Sequence, residues 1–125
     1  MTHFNDEKLI NDTKELIKAA KEKGIDRFLC VGYDLESSKK AIEIAEQNKG
    51  VYAAIGIIPT EWRQYDENSI NSLRELLKTS KKIKAIGEIG LDYYWEKDEE
   101  IKKIQKEMLI KQIELANEFN LPLTV

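Results

Sequence analysis

The sequence is poor in the groups that most site chemistry uses. Its one cysteine, Cys30, sits in Phe28-Leu29-Cys30-Val31, where a thiol serves as a small buried hydrophobe, so redox and nucleophilic cysteine chemistry have no support. Its one histidine, His3, stands among the first few residues. Two prolines and six glycines are too few for a disordered or linker-like chain. No apolar run is long enough to cross a bilayer; the longest uncharged ones are strand-sized, such as Val51 to Pro59. No basic segment leads into an apolar one near the start, which leaves export unsupported, the cytoplasm as the expected location and no membrane partner. The glycine-rich patterns G-x-G-x-x-G and G-x-x-x-x-G-K do not occur, so nothing favours a nucleotide-binding sheet. Charge of one sign is missing in bulk as well. With 20 basic and 23 acidic residues the net charge is −3, and any contact with nucleic acid has to come from a local basic patch or a bound metal ion.

What remains is a chain of 125 residues, 42% hydrophobic and 34% charged, which reads as one globular domain over residues 1–125. At this size about two thirds of the unfolded surface becomes buried, enough for a real core. Between Asp6 and Lys23 the positions Leu9, Thr13, Leu16, Ile17 and Ala20 recur at helical spacing, with Gly24 as the C′ residue. Arg27 to Val31 is a short buried strand, ended by Gly32 and by Asp34, a cap for the helix Ser37 to Asn48. In that helix Ala41, Ile42 and Ala45 point inward, and Gly50 closes it. Val51 to Ile58 predicts the next strand, stopping at Pro59, and Glu61 to Asn68 a loop. Ile70, Leu73, Leu76 and Leu77 mark a third helix, Ile83 to Ile89 a third strand, and Ile101, Ile104, Met108, Leu115 and Phe119 a longer helix from Glu99. Leu121 to Val125 begins one more strand. Single buried strands alternating with amphipathic helices mean parallel strands joined by right-handed crossovers, hence an α/β protein. An open sheet and part of a barrel give the same pattern, and in either the site lies at the carboxyl ends of the strands.

One stretch carries chemistry. Ala85-Ile86-Gly87-Glu88-Ile89-Gly90-Leu91-Asp92-Tyr93-Tyr94-Trp95 places two carboxylates in an apolar run flanked by glycines. A buried Glu costs several kcal/mol unless a cation compensates it, so Glu88 after a buried strand asks for a metal ion or a basic partner; equally, it is a strand-end residue in solvent. Asp92 opens a turn or contacts a substrate. Tyr93, Tyr94 and Trp95 either stack on bases or cover the end of the sheet. The run Lys78 to Lys84, with four lysines, is most simply a solvated loop.

The stretch GEIGLDYY resembles the signature of the TatD family, metal-dependent deoxyribonucleases of the amidohydrolase-like TIM-barrel group. His3-Phe4-Asn5-Asp6, Val31-Gly32 with Asp34 to Ser38, Val51 to Ile57, and Gln105 to Pro122 run in step with it. The resemblance implies a partial TIM (β/α) barrel of about four βα units with parallel strands, the first strand largely missing. It implies hydrolysis of phosphodiester bonds in DNA or another phosphate ester, with divalent metal ions (Mg, Mn or Zn) polarising the phosphate and activating a water. Glu88 matches the bridging carboxylate and His3 the second histidine of a metal-binding HxH pair, while Asp92 and Tyr93 fall on the substrate side. Met1 occupies the place of the first HxH histidine. The family's GIHPH appears here as Gly56-Ile57-Ile58-Pro59-Thr60, both histidines replaced, and the chain ends just before a histidine-bearing strand would finish. The expectation is therefore a truncated family member that binds metal weakly if at all, impaired as a catalyst, and prone to self-association through exposed sheet edges. Two rivals stand beside it: a non-catalytic half-barrel that pairs its open sheet edges with a second copy or another chain, and a small doubly wound binding domain using the switch point at Glu88.

Overall fold

Three short parallel strands lie side by side in chain order, each followed by a helix, in a computed structural model that describes residues 10–91 and 97–124. The elements are α1 (Ile10–Glu22), β1 (Phe28–Val31), α2 (Leu35–Gln47), β2 (Val51–Ile55), α3 (Ser69–Thr79), β3 (Ile83–Ile86) and α4 (Glu99–Glu118). Cys30 lies beside Ala53 in the β1–β2 pair, and Ile55 beside Ile86 in the β2–β3 pair. The alternation expected from the sequence is thus present as three strand–helix units plus the start of a fourth strand.

Helix boundaries follow local chemistry. Asp34 caps α2 by accepting a hydrogen bond from the Ser37 N–H at 2.8 Å, while the Ser37 hydroxyl accepts one from the Asp34 N–H at 3.0 Å, a reciprocal box. Gly24, at φ +90, closes α1 with the Ile25 N–H on Ala20 O and its own N–H on Lys21 O, so it is the expected C′ residue. Asn120, at φ 55, ends α4 in the same way. Asp98 caps the start of α4 through the N–H groups of Glu100 and Ile101.

The main core lies between the sheet and the helices. Ile55, Leu73, Ile86, Met108 and Leu115 are fully buried, each contributing about 1.5–3 kcal/mol by removal from water. Ala41, Ile42 and Ala45 point into it as their spacing requires. Leu16 does not: it is 55% exposed, and Ile17 alone carries the inward side of α1 among its described side chains. The other face of the sheet holds a smaller cluster of Val31, Ala54 and Ala85.

The strands are shorter than the apolar runs suggest, for a reason that matters to the site. The run from Val51 to Ile58 stops pairing at Ile55, because Gly56 and Ile57 give their backbone groups to side chains of α2 and α4 rather than to a strand. β3 likewise stops at Ile86, and the Gly87 N–H reaches Ile55 O at 2.8 Å. The expected loop Glu61 to Asn68 begins inside two 3-10 turns over Pro59–Gln64, kinked at Glu61. Leu121 to Val125 contributes one parallel bridge, Leu123 to Ile86, supported by Ile86 N–H on Pro122 O and Thr124 N–H on Ile86 O. The lysine run is not a single loop: Lys78 belongs to α3, Lys81 and Lys82 form the turn and Lys84 stands in β3, with Lys82 and Lys84 over the Tyr52 ring at 5.0 and 5.5 Å.

Candidate functional site

The carboxyl ends of the three strands converge on glycine backbone. Gly32 follows β1, Gly56 follows β2 and Gly87 follows β3. A Cβ on Gly56 would lie 2.9 Å from the carbonyl carbon of Gly87, so the backbone after β3 rests directly on the backbone after β2. A Cβ on Gly87 would meet Thr124 at 2.6 Å, which closes the other side. The Glu88 N–H then donates to Gly32 O at 3.1 Å, linking the ends of β1 and β3 across β2. The Gly87–Glu88 peptide bond is cis.

Glu88 is partly exposed and lines a hollow of about 320 Å³ together with Ile58, Pro59, Thr60, Ile89 and Leu91. Gly87 and Ile89 on either side of it are buried, so Glu88 is the partly exposed residue of this short stretch after β3. Ile58 and Thr60, the positions at which the sequence resemblance places histidines, share this hollow. The Ile58 N–H is held by Tyr33 O at 3.0 Å, which ties the rim to the turn after β1.

The polar backbone of this corner is satisfied from two helices. Ser38 of α2, with no exposed surface, lies 3.3 Å from the Gly56 nitrogen and 3.4 Å from its carbonyl oxygen, accepting from the first and donating to the second. Gln112 of α4, 1% exposed, does the same for Ile57: its Oε1 accepts from the Ile57 N–H at 2.8 Å, and its Nε2 donates to Ile57 O at 3.1 Å. Gln112 Nε2 also donates to Met108 O. Two consecutive residues that have left the sheet thus keep full hydrogen bonding in a dry place, as buried backbone must.

Of the residues singled out from the sequence, Glu88 is placed at the strand ends. His3, Asp92 and Tyr93, with Tyr94 and Trp95, lie outside the described residues. Asp34 is occupied as a helix cap. Among the described residues no group of three or more His, Cys, Asp or Glu gathers where it could hold a metal ion. A divalent cation needs several fixed donors, and the hollow offers it one carboxylate from the described chain; those residues do not make up a metal site by themselves. Ser38 and Gln112 escaped the sequence reading. The signal was there in the register: Gln105 and Gln112, seven apart, share the buried side of α4 with Met108 and Leu115.

A larger hollow, about 550 Å³, lies between α3 and α4, away from the strand ends. Arg74 crosses it with two hydrogen bonds to the Glu118 carboxylate, at 2.8 and 3.0 Å, which hold that carboxyl below its ordinary range. With its two cations already matched, Arg74 by Glu118 and Lys111 by Glu114, it is a groove between neighbouring helices rather than a reaction centre.

Comparison with known proteins agrees with the fold. The family model described as TatD related DNase matches residues 2–125. The uncharacterized metal-dependent hydrolase YabD of Bacillus subtilis is 39% identical over 123 residues, 98% of this chain and 47% of that protein. The 3'-5' ssDNA/RNA exonuclease TatD of Cronobacter sakazakii is 30% identical over 112 residues, 90% of this chain and 41% of its own length. In structure, the crystal structure of YJJV, a TatD homolog from Escherichia coli K12, superposes with a TM-score of 0.83 at 26% identity, covering 97% of this chain and 46% of that one. The chain spans about half the length of the relatives it matches.

Proposed function

Because the chain belongs to the TatD-related DNase family, we propose that it is a hydrolase domain, residues 1–125, acting with divalent metal on phosphodiester bonds of DNA or another phosphate ester. In this reading Glu88 gives a carboxylate to the metal, His3 is the second ligand, and Asp92 and Tyr93 belong to the substrate side. The observation that carries it is the partly exposed Glu88 just after the carboxyl end of a parallel strand, among the residues that line a hollow there. The names of several relatives, among them the single-strand exonuclease of Cronobacter, support nucleic acid as substrate. No helix among the described residues is long and apolar enough to cross a membrane, and a cytoplasmic location fits the proposal.

The 125-residue chain by itself should bind Mg²⁺, Mn²⁺ or Zn²⁺ only weakly, since its described part brings one carboxylate to the hollow. It should turn over slowly for the same reason. Titration calorimetry with each ion, followed by a metal-supplemented digest of single-stranded and duplex DNA, tests both points. Weak binding and trace cleavage, each lost in Glu88→Gln, are expected. Cleavage that persists in Glu88→Gln, or in the presence of a chelator, would remove the metal role from this residue. A second reading, a non-catalytic module that associates with another copy, draws on the exposed apolar side chains Leu29 and Leu123 at the sheet.

A further inference from the structure

We propose that Ser38 and Gln112 are positioning residues for Glu88: two buried side chains from different helices fix the Gly56–Ile57 backbone, and that backbone is the support on which Gly87 and Glu88 lie. The proposal rests on the reading of Glu88 as a site residue and adds what sets its place. Each side chain saturates one residue at both its N–H and its C=O, so Gly56 and Ile57 have no freedom to rotate while α2 and α4 stay docked. Gly56 has no room for a Cβ, being bounded at once by Gly87 at 2.9 Å and by Gln112 Oε1 at 3.0 Å. Any shift of this corner is therefore passed to Gly87, whose N–H is held by the carbonyl of Ile55, the residue just before Gly56. The two polar side chains thus satisfy four buried backbone groups at the point where β2 stops pairing and the chain turns toward the site.

Nuclear magnetic resonance on the isotopically labelled chain tests this without metal or substrate. Gln112→Met keeps the length of the side chain and removes its hydrogen bonds; Ser38→Ala removes those of the hydroxyl. Ile44→Val, a buried change elsewhere on α2, serves as the control for a general loss of stability. The expected result is amide exchange at Ile57 about tenfold faster in Gln112→Met, the factor that one ordinary hydrogen bond is worth. In both test variants the Gly87 and Glu88 amide signals and the Glu88 side-chain carboxyl carbon signal should move, with all of these unchanged in Ile44→Val. Changes confined to Gly56 and Ile57, equal changes in Ile44→Val, or loss of the fold in both test variants would overturn the positioning role. A separate Mg²⁺ titration of the unaltered chain that leaves the Glu88 signals still would count against the metal reading and not against the positioning.

Discussion

Cys30 shows how the environment of one residue decides its chemistry. It has no exposed surface, and burial pushes its thiol up to about 11 from 9.0. Below the ordinary thiol range both folded and unfolded chains keep the proton, and the stability from burying a neutral thiol is fully present. As the pH rises from 9.0 toward about 11 only the unfolded chain ionises, so that stability is lost progressively. Urea midpoints for the natural chain and Cys30→Ala, compared at about pH 8 and about pH 10, should show the natural chain losing more over this interval. Equal losses would mean that the thiol is not dry. At the site the same logic runs the other way. Glu88 stays partly exposed at the edge of an apolar run, whereas Ile58 and Thr60 line its hollow with one side chain that cannot bind a cation and one that binds poorly.

Among the elements, α2 depends on its first turn. Asp34 and Ser37 satisfy backbone donors that would otherwise be orphaned beside the end of β1, and Asp34→Ala should lower stability by about 1 kcal/mol. A shifted urea midpoint with unchanged slope would confirm a local loss; no shift would mean that neighbouring side chains replace the cap. Elements of this kind were legible in the sequence because each signal is local. Alternating buried strands and amphipathic helices, the Asp34 cap, the Gly24 stop and the delivery of Glu88 to a strand end all follow from residues within a few positions of one another. The strand lengths were not legible. Val51 to Ile58 is uniformly apolar apart from Tyr52 and Gly56, and nothing within it says that pairing ends at Ile55. That is decided by Ser38 and Gln112, whose partners lie far along the chain. The short helical turns over Pro59–Gln64 were hidden for a different reason: Trp62 packs on the core while Arg63 stacks on its ring, contacts without a periodic pattern.

For the molecule as a whole, apolar side chains on the sheet determine how it behaves in solution. Leu29 of β1 and Leu123 on the far side of β3 are 42% and 41% exposed, at opposite sides of the described sheet. Strand edges bearing such residues are covered by further chain or by association. Light scattering over a concentration series should show the 125-residue chain self-associating, and Leu29→Lys with Leu123→Lys should reduce it; a monomer at every concentration would count against association through this sheet. The corner held by Ser38 and Gln112 also has a consequence in time. Gln112 stands 55 positions after Ile57, whereas Ser38 stands 18 from Gly56, so the two halves of the grip close loops of different length. Closing the longer loop is the slower and more costly step. During synthesis, Ile57 leaves the ribosome well before its partner exists, and all three strands can pair while the site end of β2 is still wet. Pulsed hydrogen exchange during refolding should therefore find the Ile57 amide protected along with α4, after those of Ala53 and Ala54. The part of the chain that faces the hollow would be the last to acquire its final form.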